Sequence, residues 1–127
     1  MQRVWKKIIV VLFVLFASLS TGMAACSAAP VYELYPTQNM YNFLKLNTCD
    51  GRITKVQYSI NEKANRFERA IVKTPLVDET KARNGRFKLY PTENVYTFLL
   101  LDTINGRTWQ VQWAFEPEKC GIIGEIK

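Results

Sequence analysis

The chain has 127 residues, 17 Lys+Arg against 11 Asp+Glu, three Cys and no His. That length holds about one domain, and 48% hydrophobic with 22% charged residues is a globular composition rather than a disordered one. Without His, Ser-His-Asp and Cys-His catalysis and any His-ligated zinc or haem are excluded.

Residues 1–7 are basic, Ile8–Leu19 is an uncharged apolar run, and small residues follow to Ala25. This order is that of a secretory signal, and twelve apolar residues fall short of the roughly 20 that span a bilayer. We expect 1–25 to be a signal peptide and 26–127 a single all-β domain, exported to the periplasm or outer membrane. Gly22-Met23-Ala24 and Met23-Ala24-Ala25 both suit an ordinary signal peptidase. Met23-Ala24-Ala25-Cys26 also resembles a bacterial lipobox, which would place a lipid on Cys26. Lipidation leaves Cys49 and Cys120 as an even pair in an oxidising compartment, a candidate disulfide; the alternative is two separate thiols. From Cys26 onward 14 Lys+Arg face 11 Asp+Glu, a net +3 without a basic block, so no nucleic-acid partner is expected.

The body is one motif written twice. Residues 34–58 and 89–113 align at an offset of 55 without a gap, with 14 of 25 positions identical, which marks a duplication. Each copy opens on a short strand ending at Pro36 or Pro91, a place for an edge or a bend. The next segment is apolar on both faces (Tyr96, Phe98 and Leu100 against Val95, Leu99 and Leu101), as a central strand would be. Asp50-Gly51 and Asn105-Gly106 then predict type I′ hairpin turns. After the second turn Trp109, Val111, Trp113 and Phe115 alternate with Gln110, Gln112 and Ala114. In the first copy Thr54, Val56, Tyr58 and Ile60 alternate with Ile53, Lys55, Gln57 and Ser59. Fourth strands are predicted at 69–73 and 121–126, and 74–85 reads as a linker between repeats at about 31–73 and 86–126. Two such three- or four-stranded antiparallel meanders predict a pseudo-twofold sandwich or small barrel. A Cys49–Cys120 bond requires the turn end of one copy to meet the opposite end of the other. The edge strands leave room for sheet extension between chains.

The stretch Leu100-Leu101-Asp102-Thr103 through Gly106-Arg107-Thr108-Trp109 resembles the blade motif of quinoprotein-type β-propellers, in which an Asp precedes a turn Gly and a docking Trp. Here the Trp comes one residue early, and copy one has Asn47 for the Asp. Two repeats cannot close a propeller unless chains assemble. The whole repeat, over 32–115, resembles small exported proteins of Bacteroidota-type gut bacteria carrying YPTxNxYxFLxLDTxxGRxWQVQ. That resemblance implies localisation and fold and no established activity.

Catalysis has little support. Glu33, Asp50, Glu93, Asp102 and Glu116 are the carboxylates available to a hydrolase, which needs two facing across a cleft. Asp102 has only Asn47 as its repeat counterpart, and shaping the hairpin end together with Thr103 is the preferred explanation. Cys49 lacks a base. No metal or cofactor is expected. The aromatic residues Tyr35, Tyr41, Phe43, Tyr90, Tyr96 and Phe98 suit either a core or a binding surface. Trp109 and Trp113 with Gln110 and Gln112 are candidates for a glycan platform, rings stacking on sugars and amides reading hydroxyls. Arg52 and Arg107, each after a turn Gly, are candidates for an anion clamp or for solvated hairpin ends. The expected function is a non-catalytic module for an envelope protein partner, with glycan binding second and a small hydrolase third.

Overall fold

The computed structural model describes residues 29–61, 63 and 65–127, so the expected signal peptide 1–25 and the expected lipid site Cys26 lie outside the described residues. Strands β1 (Tyr32–Pro36), β2 (Asn42–Asn47), β3 (Ile53–Gln57) and β4 (Phe67–Val72) form one antiparallel sheet in chain order. Strands β5 (Phe87–Pro91), β6 (Thr97–Asp102), β7 (Thr108–Gln112) and β8 (Gly121–Ile126) form a second in the same order. The described residues are therefore all-β, with helix among them confined to two 3-10 turns, Glu79–Lys81 and Pro117–Lys119, and the two sheets stack as a sandwich. Pro36 and Pro91 close edge strands, opposite Phe43 and Phe98, where a missing N–H disturbs least.

The residues common to both copies are a hydrogen-bonding kit. Thr37 Oγ1 donates to Asn42 O at 2.8 Å, and Thr92 Oγ1 to Thr97 O at 2.8 Å. Asn39 Oδ1 accepts from Tyr41 N, and Asn94 Oδ1 from Tyr96 N. These short bonds turn the chain from the first strand of each copy into the second, the usual work of Thr and Asn side chains. At the hairpin, Asn47 Oδ1 accepts from Cys49 N as Asp102 Oδ1 does from Ile104 N, both at 3.0 Å. Thr48 N and Thr103 N donate to Val31 O and Arg86 O, tying each hairpin to the residue just before its edge strand.

The hairpins are not type I′. That turn needs positive φ at two central residues, and among the described residues no non-glycine residue has one; at these turns only Gly51 (+84°) and Gly106 (+79°) do. Instead Gly51 N donates back to Asn47 O and Gly106 N to Asp102 O, while Asn47 N and Asp102 N donate to Arg52 O and Arg107 O. The loop has four residues, right-handed until the Gly closes it. A Cβ on Gly51 would sit 2.9 Å from Leu76 Cδ1 and 3.3 Å from Phe87 Cδ1, whereas one on Gly106 meets nothing within 4 Å. Both Ala variants bear the left-handed strain of about 1–2 kcal/mol, and Gly51→Ala adds about 1 kcal/mol or more of overpacking. Urea midpoints should therefore rank Gly51→Ala below Gly106→Ala; equal midpoints would show that Leu76 simply moves aside.

The two copies bury opposite faces. Sheet one turns Leu44, Leu46, Ile53 and Lys55 inward. Their counterparts 55 residues on, Leu99, Leu101, Thr108 and Gln110, lie on the outer face of sheet two and are half-buried. Sheet two turns Phe87, Leu89, Phe98, Leu100, Trp109 and Val111 inward. Here the counterparts are Tyr32, Leu34, Phe43, Lys45, Thr54 and Val56, all on the outer face of sheet one. So Leu89 is 2% exposed where its equivalent Leu34 is 59% exposed. The joint between the copies is thus heterologous, one face of the motif against the other face of its repeat. Alternation in β7 runs as expected through Trp113 and then breaks, with Ala114 buried and Phe115 exposed.

This packing decides the cysteines. Phe87 N donates to Thr48 O and Arg83 N to Cys49 O, so the turn of copy one meets the start of β5, which pairs with Asp102 at the turn end of copy two. Cys120 precedes Gly121, which pairs with Gln112 at the other end. The expected Cys49–Cys120 bond is absent, because like ends meet rather than opposite ones. Cys49 Sγ lies 2.7 Å from Asn84 Oδ1, and Cys120 Sγ accepts from Ala114 N at 3.1 Å. Segment 74–85 between the two sheets is tied down: Leu76 N donates to Asp50 O, and Leu76 and Val77 pack on the core.

Candidate functional site

The residues singled out in the sequence do not converge. Trp109 and Trp113 are buried, Trp113 donating Nε1–H to Val95 O at 2.8 Å and Trp109 packing on Phe87 at 6.3 Å. Gln110 and Gln112 lie on the outer face of sheet two, so these rings and amides do not form a surface platform. Arg52 pairs with Asp50 at 2.8 Å, and Arg107 holds Glu125 with two nitrogens at 3.0 and 2.6 Å while covering Trp109 at 4.9 Å. Each guanidinium is thus paired within its own sheet, Arg52 across its turn and Arg107 with the neighbouring strand β8, and the two do not form a clamp. Arg107 also holds the Glu125 carboxyl below its usual range.

Asp102 is fully buried. Arg86 Nε donates to its carboxylate at 3.0 and 3.1 Å and Arg86 Nη2 at 2.8 Å. Burial pushes this carboxyl up, but the Arg86 bonds and the N–H groups of Ile104 and Asn105 outweigh it and hold it below 3.8. A carboxylate enclosed in this way has no access to a substrate, which leaves it the hairpin role. Lys55, in Gln110's repeat position, is buried with Nζ donating to Ala114 O at 3.0 Å between the rings of Phe67 and Phe115, and burial pushes its ammonium down. Among the described residues no group of three Cys, Asp or Glu gathers to hold a metal ion.

Two surfaces do have binding geometry. One is a cleft of about 200 Å³ where the start of β2, the end of β3 and copy two meet, lined by Tyr41, Asn42, Gln57, Tyr58 and Phe115. Tyr41 and Tyr58 stand 5.9 Å apart with their rings tilted by 58°. Asn42 is buried, giving its amide N–H to Asn39 Oδ1 at 2.8 Å, while its own Oδ1 has no protein donor. Of these residues the sequence singled out Tyr41; Tyr58 and Phe115 escaped because their strand positions read as core. Tyr96, the counterpart of Tyr41, is exposed on copy two and stands against buried Trp113 at 5.4 Å, as Tyr41 stands against Tyr58.

The other surface is the outer face of sheet one. Tyr32, Lys45, Asn47, Arg52 and Thr54 line a groove of about 270 Å³ there, with Lys45 over the Tyr32 ring at 5.8 Å. Leu34 extends the face and Lys45 is ion-paired to Glu68 within it, so one of its charges is already met. Compared with known protein families, with characterised proteins and with solved structures, the chain shows no match.

Proposed function

We propose that this chain is an exported, non-catalytic interaction module that engages a protein partner at the cell envelope through the outer faces of its sheets. One observation carries the reading: sheet one leaves Tyr32 and Leu34 56% and 59% exposed at the positions that sheet two buries as Phe87 and Leu89. A strand position built to be covered is here open, and exposed apolar patches of this kind mark interaction surfaces. Export and a lipid on Cys26 belong to the same proposal and rest on the order of charges and apolar residues at 1–26. A tagged chain should retain one stoichiometric protein from detergent-solubilised host membranes, and Leu34→Glu should lose it. A partner retained by Leu34→Glu, or a tagged chain that elutes alone and is monomeric, would reject this surface.

Glycan binding is the second reading, and the aromatic cleft lined by Tyr41, Tyr58 and Phe115 favours it. Tyr58 and Phe115 would stack on a sugar ring there. Titration with cell-surface polysaccharides should then change the emission of Trp113, whose ring lies 5.6 Å from Phe115. Silence across a broad panel would remove this reading.

A further inference from the structure

We infer that the partner covering these faces is a second copy of this chain, stacked so that the outer face of sheet one in one molecule covers the outer face of sheet two in the next. The inference rests on the interaction-module reading and names its partner. It starts from the joint already inside the molecule. There the inner face of sheet one, built on Leu44, Leu46 and Tyr35, meets the inner face of sheet two, built on Leu89, Phe98 and Val111. Tyr35 reaches across it, its hydroxyl 3.5 Å from Leu89 N.

Both halves of that joint exist a second time, unpartnered. The outer face of sheet two carries Leu99, Leu101 and Tyr90 at the positions of Leu44, Leu46 and Tyr35, without a change of residue type. The outer face of sheet one carries Leu34, Phe43 and Val56 at the positions of Leu89, Phe98 and Val111, again unchanged. A surface complementary to its neighbour within the chain is therefore complementary to the free end of another chain. Ile126, on the outer face beside Thr108, enlarges the apolar area on sheet two.

Five substitutions set this joint apart from the internal one. On sheet one Lys45, Thr54 and Tyr32 stand where the internal joint has Leu100, Trp109 and Phe87, and on sheet two Thr108 and Gln110 stand where it has Ile53 and Lys55, so less apolar surface is available between molecules than within one. Lys45 is already paired with Glu68, which lets it be covered without leaving a bare charge. The joint between chains should accordingly be the weaker, dissociating on dilution while each sandwich stays folded.

A heterologous joint repeated with the same rotation either closes into a ring or runs on as a filament. Stacked four-stranded antiparallel meanders close as propellers of about four to eight blades. Each chain supplies two, so closure takes about two to four chains.

The test uses protein purified from cells expressing the full chain, weighed by native mass spectrometry and by light scattering from dilute to high micromolar concentration. The expected mass is a ring of two to four chains. Leu34→Glu blocks only the sheet-one face and Leu99→Glu only the sheet-two face; Ile126→Glu replaces the latter if circular dichroism shows a loss of strand. Each variant alone should be monomeric. Mixed, they should form a one-to-one dimer, because each keeps the face that the other has lost. A monomeric parent chain at every concentration would overturn the inference, as would assembly that only one of the two variants disrupts. If the parent is monomeric but a different envelope protein is captured in a Leu34-dependent manner, the copy is wrong and the interaction module stands. If neither forms, both fall.

Discussion

Asp102→Ala is expected to cost the fold about 3–5 kcal/mol, since removing one partner of a buried ion pair strands the other. Arg86 is 8% exposed and Asp102 not at all, and once the carboxylate is gone Arg86 keeps the carbonyl of Lys81 and the face of the Phe87 ring but no counter-charge from Asp102. Asp102→Asn separates two roles of this side chain. In copy one Asn47 occupies the position and holds the turn through Cys49 N. It does so where Val31, not an Arg, precedes the edge strand. Asn at 102 should therefore keep the hairpin and still lose about 2 kcal/mol or more through the unpaired guanidinium. The double change Asp102→Asn with Arg86→Val rebuilds copy one's arrangement and should recover most of that loss. Urea unfolding of the two single variants and the double variant forms the cycle; additive costs would mean that the pair is not coupled. The pH dependence follows from the lowered carboxyl. A depressed folded-state pKa gives stability that is complete above the unfolded value of about 3.9 and is lost as pH falls through the folded value. The parent should weaken steeply below about pH 4, and the double variant less so.

Much of this architecture is legible in the sequence because the duplication is. The 55-residue offset, the edge prolines and the two-sided apolar run of β6 give strand order without further help, and β8 occupies the residues expected of it. What stayed hidden is which face each copy buries. In copy one, alternation sets Val56 and Tyr58 against Lys55 and Gln57, and a charged Lys argues for solvent. The fold buries Lys55 nonetheless, by giving its ammonium the Ala114 carbonyl and two aromatic faces that come from other segments. The turns, by contrast, are set locally: the Asn47 and Asp102 side chains cap the N–H two residues on and override the preference that Asp-Gly and Asn-Gly suggest. Arg86, which neutralises Asp102, could not be chosen from among 14 cations by spacing alone. For the site, Tyr41 was visible as an extra aromatic. The cleft around it depends on Phe115 arriving from the other copy, and no local pattern records that.

Equivalent residues should respond unequally to truncation, in opposite senses on the two faces. Phe98 is 2% exposed in the core of sheet two, so Phe98→Ala should cost about 3–5 kcal/mol. Phe43, the same motif position, is half-buried on the outer face of sheet one and keeps Tyr58 as a neighbour at 6.2 Å. Its loss should cost about 1–2 kcal/mol, in proportion to the area that it removes from water. On the other face the order reverses: Leu44 is fully buried while Leu99 is not, so Leu44→Ala should cost about 2–5 kcal/mol and Leu99→Ala clearly less. A sandwich that buried the same face in both copies would make Phe43 equal Phe98 and Leu44 equal Leu99, and four melts are enough to tell. Protein concentration adds a second dimension. Phe98→Ala and Leu44→Ala destabilise the single chain and should cost the same at any concentration. Phe43→Ala and Leu99→Ala remove surface from the joint between chains, so their cost should grow with concentration as the parent gains stability by assembling and the variants do not.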